Sequence, residues 1–71
     1  MTHTYTLQMR YWLGTEWSAL RWVTADDTLS MYKHRAEVFL SKEDATAKQA
    51  RIAKDLTKDK VKFEFTVNKE N

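Results

Sequence analysis

Residues 5–24 read YTLQMRYWLGTEWSALRWVT, and the way this stretch folds back on itself decides the rest of the chain. Tyr5, Leu7, Met9, Tyr11 and Leu13 recur at every second position, the period of a half-buried strand. Trp17 to Thr24 is a second run of aromatic and β-branched residues. Gly14 is the only glycine and proline is absent, so the strongest turn signal falls between the two runs. A two-residue loop at Gly14-Thr15 sets Leu13 opposite Glu16, Tyr11 opposite Ser18, Met9 opposite Leu20 and Leu7 opposite Trp22, which gives the hairpin one apolar face. On its second face the same register sets Trp12 opposite Trp17, Arg10 opposite Ala19 and Gln8 opposite Arg21. A slip of one residue would scramble both faces. A longer loop from Leu13 to Glu16 is the other way to close the hairpin.

Outward from the hairpin, Ala25-Asp26-Asp27-Thr28 is a polar break, and the residues after it admit two readings. In one, Ala36, Val38 and Leu40 line a face of a short third strand that ends at Ser41. In the other, Leu29, Tyr32, Ala36, Phe39 and Leu40 keep helical spacing, and a long or bent helix starts near residue 28 and runs to about Leu56. The strand reading is favoured by the β-prone Val38-Phe39 pair and by Ser41 with Asp44, which resembles a capping box at a helix start. Lys42 to about Leu56 then predicts a helix: it holds four alanines, no Gly or Pro, and Glu43 and Asp44 in the first turn. Ala45, Gln49, Ile52, Ala53 and Leu56 form its inward stripe. Val61, Phe63, Phe65 and Val67 alternate with Lys62, Glu64 and Thr66 as a last strand. The expectation is a single α+β domain over residues 1–71, a small antiparallel-rich sheet with one packed helix in the order β-β-β-α-β; β-β-α-β with the long helix is the alternative. Residues 1–4 and 68–71 read as frayed tails. Leu7, Met9, Leu20, Trp22, Val38, Leu40, Phe63 and Phe65 are the expected sheet side of the core.

Seventy-one residues bury a thin core, and without cysteine the nine aromatics must carry it. The N-terminus lacks the basic and then apolar order of a signal peptide, and no run approaches the ~20 apolar residues that span a bilayer. A soluble, cytoplasmic protein is the expectation. Catalysis is disfavoured: His3 and His34 are the only imidazoles, and neither has a nucleophile or a third group in a recognisable pattern. Metal-ligand spacings and phosphate-cradling glycines are also missing, so no metal and no cofactor are expected. Asp26 and Asp27 read as a turn or helix cap, and Glu43 and Asp44 as partners of the helix dipole.

Two surface constellations remain. Arg10, Trp12, Trp17 and Arg21 share the second face of the hairpin in the expected register, and Trp and Arg are the residue types that dominate interface hot spots. They form either a partner-binding patch, which includes the possibility of a homodimer, or a cross-strand aromatic pair that stabilises the hairpin by roughly 0.5–1.5 kcal/mol. Lys48, Arg51, Lys54 and Lys58 recur along the helix and could meet phosphates, with Tyr11, Trp12 and Trp17 stacking on bases of a single strand. The competing reading of this row is a solvated face interleaved with Asp44, Asp55 and Asp59. With twelve basic against ten acidic side chains, the charge balance argues against a dedicated duplex-DNA binder.

The segment from Ala36 to Ala45, AEVFLSKEDA, followed by a helix and by Val61 to Val67, VKFEFTV, resembles the small accessory proteins encoded by bacteriophages. That resemblance implies expression inside a bacterial host and action by binding a host or defence protein. It carries over no site residues. The sequence therefore points to a non-enzymatic macromolecule-binding protein, with a weak single-stranded nucleic-acid-binding module or a self-associating structural protein as alternatives.

Overall fold

The computed structural model describes residues 3–70. Its elements are strands β1 (Thr4–Tyr11), β2 (Arg21–Val23) and β3 (Leu29–Ser30), a 3-10 turn (Lys33–Arg35), helix α1 (Lys42–Lys58) and strand β4 (Phe63–Glu70). The strands form one antiparallel sheet in the order β3-β2-β1-β4, with α1 across one face. This is the α+β order β-β-β-α-β expected from the sequence. No helix among the described residues is long and apolar enough to cross a membrane.

The hairpin closes at Gly14, whose φ of +99° suits a residue without a Cβ, and the Leu13 N–H donates to the Glu16 carbonyl at 2.8 Å. Trp12 faces Trp17 as the sequence register requires. Four residues further along β1 the register has moved by one, because Gln8 faces Trp22 and Met9 faces Arg21. Ser18, Ala19 and Leu20 thus oppose only Arg10 and Tyr11, which makes a bulge in the second strand. Ser18 holds it: its N–H donates to the Tyr11 carbonyl at 2.8 Å, and its hydroxyl accepts from the Tyr11 N–H at 3.0 Å. Beyond the bulge every side chain changes face. The expected pairings of Met9 with Leu20, Leu7 with Trp22 and Gln8 with Arg21 are therefore corrected, and Val23, not Trp22, enters the core beside Leu7.

The third strand also departs from its expected position. After Val23 the chain makes a tight turn, with the Thr24 N–H on the Thr28 carbonyl and the Asp27 N–H on the Thr24 carbonyl, and returns as Leu29–Ser30. No helix starts near residue 28, since the Thr24 and Thr28 hydroxyls and the Asp26 carboxylate bond to one another across the turn. Residues 36–40 make isolated bridges, Ala36 to Thr24 and Phe39 to Tyr5, rather than a strand. Phe39 exchanges both backbone bonds with Tyr5, at 2.8 and 2.9 Å, and its ring is buried. Val38 and Leu40, expected to face inward, are 58% and 73% exposed. The pairing with Tyr5 fixes this parity, and it places the largest apolar side chain of the segment in the core.

Helix α1 begins at Ser41, whose hydroxyl accepts from the Asp44 N–H at 3.1 Å. Ala45 is fully buried, and Ile52 and Leu56 pack on the cluster of Leu7, Met9, Val23 and Phe39, joined by Tyr5, Phe63, Phe65 and Val67. Strand β4 pairs with β1 along its whole length, from Tyr11 with Phe63 to Thr4 with Glu70. Thr4 and residues 68–70, read as tails, are thus sheet residues, because the full length of β1 offers them partners; Met1, Thr2 and Asn71 lie outside the described residues.

Candidate interaction face

Among the described residues the sheet has an α-helix on one side only. On β1, residues at odd positions from Tyr5 to Tyr11 point to α1, and those at even positions, Thr6, Gln8 and Arg10, point to the other side. On that open side the side chains form a continuous row. At the hairpin end Trp12 and Trp17 meet edge to face, with ring centroids 5.4 Å apart and planes at 73°. The Arg10 guanidinium lies 4.7 Å from the centre of the Trp17 ring, and its Nε donates to Glu64 on β4 at 2.7 Å. Both charges are then held and the cation is stacked, a geometry that suits Arg better than Lys.

Next along the row, Trp22 lies across from Gln8, whose side-chain oxygen accepts from Asn68 at 2.8 Å. The Lys33 ammonium sits 5.7 Å from the Trp22 ring centre and 3.2 Å from Glu70, which also accepts from the Thr6 hydroxyl at 3.0 Å. Lys33, with help from Thr6, holds the Glu70 carboxyl below the usual carboxylate range. The face therefore sets three indoles among paired charges. Trp12 is 36% exposed, and Trp17 and Trp22 are half-buried.

Of the residues singled out in the sequence, Arg10, Trp12 and Trp17 come together here. Arg21 does not. The bulge turns it to the opposite side, where it lines an open cleft of about 770 Å³ with Tyr11, Leu29, Met31, Tyr32 and Arg35. The same shift brings Trp22 onto the face, a residue that sequence reasoning assigned to the core. The only signal for it was the third tryptophan itself, since an aromatic too many for a thin core is a candidate for the surface.

The helical basic row is divided. Lys48 is only 8% exposed; its ammonium donates to the Thr24 carbonyl at 2.7 Å, bonds the Glu37 carboxylate and lies 3.2 Å from Asp27. Arg51 grips Asp27 with two bonds of 2.9 and 3.0 Å. The Arg51 fork, and then Lys48, hold the Asp27 carboxyl down at about 2. Lys54 and Lys58 are exposed, with no ion partner among the described residues. His34 lies on the exposed 3-10 turn against Tyr32, with ring centroids 5.6 Å apart. Comparison with known protein families, with curated proteins and with solved structures finds no match to this chain.

Proposed function

We propose that this protein acts by binding another protein through the open face of its sheet, with Trp12, Trp17 and Trp22 as anchors and Arg10 as the cation that orients the partner. The observation that carries the reading is the exposed Trp12–Trp17 pair with Arg10 stacked beside it on a sheet side that no helix covers. Indoles held by neighbours lose little rotamer freedom on binding, and this is what makes an aromatic patch efficient as a hot spot. Around them Asn68 donates to Gln8 and Thr6 donates to Glu70, so part of the polar surface of this face is already paired before a partner docks. Taken with the resemblance to phage accessory proteins, the proposed partner is a protein of a bacterial host or of its defence systems, met in the cytoplasm, and the proposed outcome is modulation or inhibition of that partner.

The test is affinity capture from bacterial lysate followed by reconstitution with the purified partner. The Trp12→Ser/Trp17→Ser variant, checked to be folded by circular dichroism, is expected to lose the partner. Arg21→Ala, on the far side of the sheet, is expected to keep it. A partner that binds the double variant as tightly as the parent chain removes the proposal.

A further inference from the structure

Strand β4 is the outer strand of the sheet and the longest exposed edge in it. Its eight residues contain no proline or bulge, and no described element covers its outer side; long open edges of this kind are templates for another strand. The direction of the unused hydrogen bonds follows from the neighbouring ladder. Tyr5 spends its N–H and its carbonyl on Phe39, away from β4, and the Trp12 N–H reaches the Lys62 carbonyl toward β4. Antiparallel strands alternate, so the even residues of β1 bond β4, and the even residues of β4, Glu64, Thr66 and Asn68, bond back. The N–H and carbonyl groups of Phe63, Phe65, Val67 and Lys69 therefore point outward and meet no strand among the described residues.

We infer that β4 pairs with β4 of a second copy of this chain, antiparallel and centred on Thr66, to make a continuous eight-stranded sheet about a two-fold axis perpendicular to it. In that register Phe65 faces Val67 of the second copy and Phe63 faces Lys69, each exchanging two backbone bonds, about eight in all. The apolar layer under α1 then continues across the seam, while Lys62 meets Glu70 of the second copy at both ends. Neighbouring registers pair their charges less well. Centring on Val67 sets Glu64 against Glu70 twice, a like-charge pair directly opposite. Centring on Phe65 sets Glu70 against Lys60, whose φ of +58° takes it out of the extended strand, so the Lys–Glu pairs at the two ends are lost. Charge complementarity and backbone direction thus agree on one occupant and one register. Such a dimer sets both tryptophan faces on the same side of the joint sheet, yet the pairing does not depend on what those faces bind.

Sedimentation across a concentration series is expected to show a monomer giving way to a dimer. Val67→Pro removes an N–H that the monomer does not use, at a position where an edge strand tolerates proline, so the variant is expected to keep its circular dichroism and lose the dimer. Thr66→Cys adds the only thiol to a cysteine-free chain at the two-fold axis, in a non-hydrogen-bonded pair whose Cα separation of about 4.5 Å permits a disulfide. It is expected to crosslink under mild oxidation far faster than Glu64→Cys, which lies off the axis. A parent chain that stays monomeric at every concentration overturns the inference. So does a dimer that survives Val67→Pro but is lost in Trp12→Ser/Trp17→Ser, and so does equal crosslinking of the two cysteine variants.

Discussion

Asp27 joins two segments of the chain, and it does so from an unusual backbone. Its φ of +65° lies in the left-handed region, which Asp and Asn tolerate better than most residues, and from there its carboxylate faces both Arg51 and Lys48 on the helix. The two contacts tie the β2–β3 turn to α1. Because the Arg51 hydrogen bonds lower the Asp27 carboxyl from 3.8 to about 2, its contribution to stability is complete above pH 3.8 and is lost as pH falls toward 2. Asp26, lowered mainly by the Thr24 hydroxyl, and Glu70, lowered mainly by Lys33, act in the same direction. Asp27→Asn keeps the backbone preference and removes the titration. The urea midpoint of the variant is expected to fall less steeply than that of the parent between pH 4 and pH 2, at low salt, where exposed pairs are least screened. Parallel pH profiles would show that the carboxylate does not couple to folding. The sequence could not reveal this site: Lys48 sits three residues after Ala45 and four before Ile52, so its place beside the buried stripe was legible, but its partners at Thr24, Asp27 and Glu37 come from chain segments whose position only the fold decides.

Elements whose period runs unbroken were readable, and those that depend on a single irregular residue were not. The helix from Ser41 and the alternation from Phe63 to Val67 stand as expected, because capping and strict periodicity are local properties of the chain. The second strand failed at its bulge. Ser18-Ala19-Leu20 holds no glycine and no proline, and an alternating pattern does not announce one extra residue, so the register near Gly14 was right and the register at Trp22 was wrong. The face assignments of Leu20, Arg21 and Trp22 all followed from that one step. The end of α1 offers a check at the same scale. Asp59 donates to the Leu56 carbonyl and Lys60 to the Thr57 carbonyl, and Lys60 takes the left-handed conformation that glycine usually supplies after a helix. Lys60→Gly is expected to raise stability by about 0.5–1 kcal/mol, read as a higher urea midpoint at unchanged slope. A lower midpoint would mean that the Lys60 side chain contributes more than its backbone strain costs.

For the molecule as a whole, the disposition of charge bears on which partner its surface suits. Arg10, Lys33, Lys48 and Arg51 all have carboxylate partners within the chain, so four of its twelve cations are already committed before any ligand arrives. On the helix this leaves Lys54 and Lys58 of the four-residue row. A phosphate backbone held by that row would have to draw Lys48 from a buried position and break the Arg51 fork, leaving Glu37, Asp27 and the Thr24 carbonyl without their donors. Affinity of this helical row for a single-stranded oligonucleotide should then reflect two cations rather than four. With about 0.7 counterions released per phosphate neutralised, the logarithmic salt slope of such binding, followed by fluorescence anisotropy, is expected near −1.4 rather than about −2.8. A slope at the steeper value would require the Asp27 and Glu37 pairs to open on binding, and it would favour a nucleic-acid surface on the helix over the aromatic face of the sheet. A shallow slope together with salt-tolerant binding of a protein partner is the pattern expected of the indole face, where affinity comes from apolar burial and only orientation comes from charge.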